Sequence, residues 1–401
     1  MKLVLRTLSA SKKIKNKPVL MRVDWNVPIS SVGPSDSLKI ERNIDTIKQF
    51  QKRGAKLILL THIGRPKTRD RKLSTKRLVP LLKKEYGVDL IYHAESVSKV
   101  KDLEKLKARI EKAESGTIHL LENVRFEKGE EKNDVKLVKQ YASLADIFVN
   151  DAFAVCHRKQ ASVLGLARAF KQESYAGPAL VEEVKNMLYI LNKPKKPFIA
   201  IIGGKKLSTK IPVLKSLLKI CDTVVIGGAM ATPFFKLNGM NIGKSFIEKE
   251  VMKSAKSIMK SKKTFLLPID VMTVKSVHRS SKRVYKNLEQ VESSDIIVDA
   301  GPATLAKWAI ELRKAKTILW NGPIGVTEIH EMGFGSRFIA RVMASRSHLG
   351  AWTLSGGGDT IPVILNVHAE KDLSFVSTGG GAMLEFITEK GLLPGLQPLL
   401  K

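Results

Sequence analysis

Two doubly wound α/β domains, each a parallel, Rossmann-like sheet covered by helices and joined to the other by a hinge helix, are what this sequence predicts. Three observations carry that expectation. A chain of 401 residues is too long for one comfortable core and divides into two. Short apolar runs alternate with charged segments of helical period, once through the first half and again through the second, as parallel strands with helical crossovers do. Nearly every strand of the second half also ends in a turn carrying glycine.

The strands of the first half are read at PVLMRVDW (18–25), AKLILLTH (55–62), VDLIYH (88–93), TIHLLENV (117–124) and ADIFVNDA (145–152). Between them, Asn43 to Arg53 and Asp102 to Ala113 have helical spacing. The second half gives FIAIIGG (198–204), DTVVIGG (222–228), TFLLPID (264–270), DIIVDAG (295–301), TILWNGP (317–323), AWTLSGG (351–357) and LSFVSTGG (373–380). The first domain is placed at 1–180 and the second at 198–386. A hinge helix and linker at 181–197 lie between them, because VEEVKNMLYILNK is helical and Pro194 and Pro197 then stop it. The apolar tail 387–401, with two prolines, is expected to dock as a strap.

Composition excludes several classes. No apolar run could span a bilayer, and the N-terminal MKLVLRTLSASKK lacks the apolar stretch of a signal peptide. Cys156 and Cys221 match no metal spacing and suit a reducing cytoplasm. The net charge of +31 invites nucleic acid, but the surplus is 16 in residues 1–190 and 15 in the rest, spread rather than gathered. No specific nucleic-acid partner and no membrane partner are therefore expected.

Chemistry concentrates at strand ends, where open α/β sheets bind ligands. The glycine turns IIGGKK, VIGGAM, SGGGDT and STGGGA free backbone amides at helix N-termini, which suits phosphate. Neither triplet is a dinucleotide fingerprint: the sixth position from Gly356 is Ile361, and from Gly379 it is Leu384. GMNIGKS (239–245) is one residue short of a P-loop and follows no strand. In the first half the strand ends instead carry Arg22, Asp24, Asn26, His62, Arg65, Arg125, His157 and Arg158, with Arg42 early in a helix. Guanidiniums gathered at successive strand ends suit a small polyanion.

RVDWNVP, THIGRPK, LLENVRFEKGEEKND, VNDAFAVCHR, IIGGKKLSTK, WNGPIGVTE, SGGGDT and STGGGA, in this order and over essentially the whole chain, resemble the phosphoglycerate kinase family. The resemblance implies reversible phosphoryl transfer between ATP and the carboxylate of 3-phosphoglycerate, giving 1,3-bisphosphoglycerate and ADP. It implies that the first domain binds the acid, the second binds the Mg²⁺ nucleotide, and the tail returns to the first. At matching positions, Asp24, Trp25, Asn26, Arg42, His62, Ile63, Gly64, Arg65, Arg125 and Arg158 would bind the acid. Lys210, Asn321, Glu328, Gly356, Gly357, Gly358, Asp359 and Thr360 would bind the nucleotide, with Asp359 near the magnesium. Arg42, Lys206, Lys210, Gly380 and Gly381 would stabilise the phosphoryl group in transit. Closure of the two domains about the hinge and a monomeric, cytoplasmic enzyme belong to the same expectation.

The sequence departs from the family pattern at Ala154, Gln160, Lys205, Pro233, Ala300, Ala303 and Thr327, which bears on affinity and base preference. Two other classes stand as alternatives to the kinase. A basic nucleic-acid-binding protein explains the charge but not the ordered motifs, and 6% aromatic residues make stacking platforms scarce. An inactive scaffold on the same fold would have no use for Arg42, Lys210 and both glycine triplets together.

Overall fold

A computed structural model describes residues 3–27, 29–30, 33–34, 37–261 and 263–401; Pro28, which ends the RVDWNVP motif, lies outside them. The chain forms two compact units, one of residues 1–185 with 391–401 and one of residues 186–390.

The first unit is built on β1 (Pro18–Arg22), β2 (Lys56–Leu60), β3 (Ile91–His93), β4 (Ile118–Leu121), β5 (Ile147–Asn150) and β6 (Ser174–Ala176). They form one parallel sheet in the order β3-β4-β2-β1-β5-β6. Strands β1, β2, β4 and β5 are apolar runs buried on both faces, as a helix-covered parallel sheet requires. Helix Leu38–Lys52 turns Ile40, Ile44, Ile47 and Phe50 inward at three- and four-residue spacing, onto Val19, Met21, Leu57 and Leu59. Because β4, β2, β1 and β5 are neighbours, the segments that follow them lie side by side.

The tail belongs to this unit. The Arg6 N–H donates to Leu399 O at 2.7 Å, Lys401 N–H to Val4 O at 2.9 Å, and Gly395 N–H to Cys156 O at 2.7 Å. A Cβ on Gly395 would lie 2.7 Å from Val163 Cγ1, 2.9 Å from Cys156 Cα and 3.0 Å from Cys156 O. Backbone cannot yield there as a side-chain tip would. Gly395→Val is therefore expected to destabilise this unit by about 1–3 kcal/mol, read as a lower urea midpoint at an unchanged slope.

The helix expected at 181–193 runs from Pro178 to Asn192, starting on a proline whose missing N–H costs nothing at that position. The division between the units falls within it.

The second unit carries β7 (Phe198–Ile202), β8 (Thr223–Ile226), β9 (Thr264–Leu266), β10 (Asp270–Val274), β11 (Val284–Asn287), β12 (Ile296–Ala300), β13 (Thr317–Asn321), β14 (Trp352–Gly356) and β15 (Phe375–Ser377). Its parallel sheet has the order β9-β8-β7-β13-β14-β15, which reverses direction between β7 and β13. A crevice opens at such a reversal point. Two expectations change here. The segment 264–270 is only half strand, and 295–301 is not in the parallel sheet. Strand β12 instead pairs antiparallel with β10, which also pairs with β11, in a separate sheet ordered β11-β10-β12. Lys275 and Lys286, on the hairpin that joins β10 and β11, both meet the buried Asp295 carboxylate at 2.8 Å and pin the approach to β12 there. Among the described residues, no helix is long and apolar enough to cross a membrane.

Candidate active site

The first unit gathers its strand-end residues around His62. The loop after β2 is fixed from three sides. Gly64 N–H donates to Asn26 Oδ1 at 2.8 Å, Arg125 Nη1 donates to Gly64 O at 2.5 Å, and Asn123 Nδ2 donates to Ile63 O at 2.8 Å. His62 is 3% exposed, and its Nδ1 lies 3.0 Å from Nη2 of Arg22, which is wholly buried. Burial holds the His62 imidazole neutral, well below the usual histidine range, and the nearby cations Arg22, Arg125, Lys39 and Arg158 press the same way. Burial also lowers Arg125, and both Arg22 and Arg65 repel it. Arg65 and Arg158 are exposed, so this cluster of cations opens to solvent. His157 is held neutral as well, lowered to about 4 by burial and by Arg158.

Arg42 reaches helix Pro178–Asn192, its Nη1 lying 3.6 Å from Glu182 Oε2 and 3.9 Å from Glu183 Oε1, both in the same unit. Trp25 is the exception among the expected acid-site residues. Its side chain is fully buried in the core, its N–H donates to Thr61 Oγ1 at 3.0 Å, and its carbonyl accepts from Val27 at 2.9 Å. Its place in the chain is at the site, but its polar backbone groups are spent inside the protein.

In the second unit, the turns after β7, β13, β14 and β15 meet. Gly203 N–H donates to Asn321 O at 2.9 Å across the reversal point. Gly322 (φ +91°) comes so close that a Cβ there would lie 2.2 Å from Gly203 O, so these glycines are required by backbone packing. Lys210 donates to Asn321 Oδ1, while Asn321 Nδ2 donates to Gly356 O at 2.6 Å. Gly322 N–H donates to the fully buried Thr360 Oγ1 at 2.8 Å. Asn321 and Thr360 thus tie three turns together, and neither has a side chain left facing outward. The two triplets also touch: a Cβ at Gly380 would lie 3.3 Å from Gly357 Cα. Helix Gly380–Thr388 begins there without a side-chain cap, leaving its first amides to other acceptors.

Beside these turns lies a cavity of about 490 Å³, walled by Gly228, Phe235, Ile324 and Val326 and bordered by Glu328 and Asp359. It has the size and apolar lining of a small-molecule site with a few polar groups at its edge. Lys206 and Asp359 are exposed, and Lys210 is half-buried. No cluster of three or more His, Cys, Asp or Glu able to hold a metal occurs among the described residues. A lone Asp359 carboxylate fits a hard cation that arrives already bound to substrate phosphates.

Sequence reasoning missed the supports of both sites. Thr61, Asn123, Ser162 and Glu130 hold the first site's loops from inside, and Asp299, buried below the cavity, accepts from Gly335 and Ala300 N–H at 2.8 and 2.9 Å. The buried acids had one legible signal, an isolated charge inside an otherwise apolar or motif-bearing run.

The family profile for phosphoglycerate kinase matches residues 9–390. The phosphoglycerate kinase of Dictyoglomus turgidum is 40% identical over 396 residues, covering 96% of each chain. That of a Nostoc species is 36% identical over 398 residues and 98% of each. A relative from Arabidopsis thaliana named phosphoglycerate kinase 3, cytosolic, is 37% identical over 391 residues and 96% of each. Among solved structures, the phosphoglycerate kinase of Coxiella burnetii aligns with a TM-score of 0.81 at 36% identity, and that of Pyrococcus horikoshii with 0.84 at 28%. Each covers 97% of both chains.

Proposed function

The chain belongs to the phosphoglycerate kinase family, and we propose how its residues divide that family's reaction between the two strand-end basins. The enzyme transfers a phosphoryl group reversibly between ATP and the carboxylate of 3-phosphoglycerate. The observation that carries the acid to the first unit is the set of cations around His62. Arg22, Arg125, Lys39 and Arg158 all press on that ring, and Arg65 adds its charge beside Arg125. Such a basin calls for a polyanion. Asn26, His62, Arg65, Arg125 and Arg158 bind it, with Asp24 beside Arg22 and with Ile63 and Gly64 shaping the loop.

The nucleotide occupies the second unit. Its base enters the apolar cavity, Glu328 takes the ribose hydroxyls, and the turns Gly356–Thr360 and Gly379–Gly381 receive the phosphates. Mg²⁺ enters with the nucleotide as part of the substrate, where Asp359 meets it; when bound it neutralises phosphate charge. The acceptor carboxylate is already ionised at neutral pH, so no general base is required, and both His62 and His157 are held in the neutral form. What the protein supplies is alignment and charge: Arg42, Lys206, Lys210 and the Gly380 and Gly381 amides offset the charge of the moving phosphoryl group. A steady-state assay with MgATP and 3-phosphoglycerate tests the whole reading; a folded protein that fails to turn them over would refute it.

Direct transfer needs donor and acceptor oxygens in line within a few ångströms. We place that alignment in the ternary complex, with helix Pro178–Asn192 and its ends as the hinge. The expected result is a smaller radius of gyration for the complex with 3-phosphoglycerate and a nonreactive ATP analogue than for the free protein. An equal radius in a verified, active preparation would remove the hinge. The enzyme works as a monomer, since each basin is complete within one chain, and in the cytoplasm, as the name of the Arabidopsis relative states for that protein.

A further inference from the structure

Under the acid's basin runs a buried polar chain that the reaction as described does not use. Arg22 is wholly buried and donates in three directions besides His62: Nε to Ser162 Oγ at 3.0 Å, and Nη1 to Val23 O and, at 3.3 Å, to Leu60 O. The Ser162 hydroxyl passes its own hydrogen to Glu130 Oε1 at 2.5 Å, and Ser162 N–H donates to Glu130 Oε2 at 3.0 Å. Glu130 is also fully buried. Every bond therefore points one way, from guanidinium through hydroxyl to carboxylate, and the buried positive charge is balanced from the side away from His62.

The remaining contact, Arg22 Nη2 to His62 Nδ1 at 3.0 Å, has only one chemical solution. A guanidinium has donors and no acceptor. Nδ1 must present its lone pair, which leaves the ring hydrogen on Nε2, and Nε2 has no protein partner among the described residues. Protonating Nδ1 would set two donors against each other at 3.0 Å.

We propose that Arg22 is a positioning residue that fixes His62 as the neutral Nε2–H tautomer, so that the ring offers the acid one permanent hydrogen-bond donor and never a base. The facing groups act in the same sense: Arg125, Lys39 and Arg158 surround the ring with positive charge, while Glu130 and Asp24 act on Arg22. The acid's oxygen opposite Nε2 is then an acceptor, a carboxylate or a hydroxyl lone pair. This assignment rests on the first unit being the acid's site.

The test is ring-nitrogen NMR of His62 in the intact protein, free and with 3-phosphoglycerate, from about pH 5 to about pH 8. The expected spectrum shows Nδ1 bare and Nε2 protonated throughout. Titration within that range, or a hydrogen on Nδ1, would overturn the assignment with no variant needed. In Arg22→Met the ring is still buried among Arg125, Lys39 and Arg158 and stays neutral, but without a donor at Nδ1 it is expected to show mixed neutral tautomers, with a severalfold higher KM for 3-phosphoglycerate. A ring that remains wholly Nε2–H beside an unchanged KM counts against Arg22. Should that variant fail to fold with Glu130 left uncompensated, Arg22→Met/Glu130→Gln carries the same comparison. A fixed Nε2–H ring in a protein that turns over neither substrate would remove the functional reading, and the acceptor role with it. Loss of the fixed tautomer in an active enzyme removes this proposal alone.

Discussion

Arg42→Ala is expected to lower kcat by about two to three orders of magnitude, the scale of losing one preorganised group that meets charge in the transition state. KM for 3-phosphoglycerate should move by no more than severalfold. The geometry gives the reason. Arg42 stands on helix Leu38–Lys52 with its guanidinium 3.6 and 3.9 Å from the Glu182 and Glu183 carboxylates, at the long end of ion-pair distance. These carboxylates orient the guanidinium. In the role proposed above it meets the phosphoryl group in flight, which exists only during transfer, so the loss falls on kcat. Arg65 is the contrast. It is exposed at the mouth of the basin and adds to the repulsion on Arg125. A charged hydrogen bond of about 1.5–3 kcal/mol lost from bound acid and transition state alike raises KM by about tenfold or more and leaves kcat within about twofold. Initial-rate kinetics on the two variants decide the matter. Equal, KM-only defects would mean that both arginines merely bind the acid.

That contrast also marks how far sequence reaches. His62, Arg65, Arg125 and Arg158 could be named as site candidates because each follows an apolar run, and a strand end is a local feature. Their convergence depends on β4, β2, β1 and β5 being neighbours, and strand order is set by long-range pairing. The same limit explains the misplacement of 295–301. An apolar run of five reads alike whether its neighbour is parallel or antiparallel; what decides is a hairpin whose outer strand, VYKN, is mostly exposed and carries little apolar signal. Roles were harder still. Trp25, Asn321 and Thr360 sit within the motifs, yet burial turns the first into core and the other two into ties between turns. Arg22 reads as one more strand-end cation until its burial and its donors to Ser162 and His62 are seen. The glycines divide likewise: Gly203 and Gly322 serve backbone packing, while a Cβ at Gly358 would meet open space, so Gly358 is open to a ligand.

Lys210 gives the second large effect, and one with a pH signature. It sits at the N-cap of helix Ile211–Ile220, where the helix end is itself positive and offers a cation no relief. Burial lowers its pKa to about 8, with Asp359 opposing the shift only in part. Its hydrogen bond goes to the neutral amide oxygen of Asn321. An ammonium kept this poorly compensated is poised for phosphate, whose charge would restore its affinity for the proton. Lys210→Met should therefore cost about two to three orders of magnitude in kcat/KM for MgATP. The sign of the pH effect follows from the lowered pKa: the charged form dominates below about 8 and is lost as pH rises through about 8. Since kcat/KM reports the free enzyme, it should be flat on this account below that point and fall above it. The fall in kcat at saturating nucleotide should come at higher pH, because bound phosphate raises the pKa. Lys210→Arg keeps the charge at all these pH values and should lose the alkaline fall in kcat/KM while working more slowly, its planar fork replacing a point charge. A fall near pH 8 that persists unchanged in Lys210→Arg would assign the titration to another group and leave Lys210 without the role given to it here.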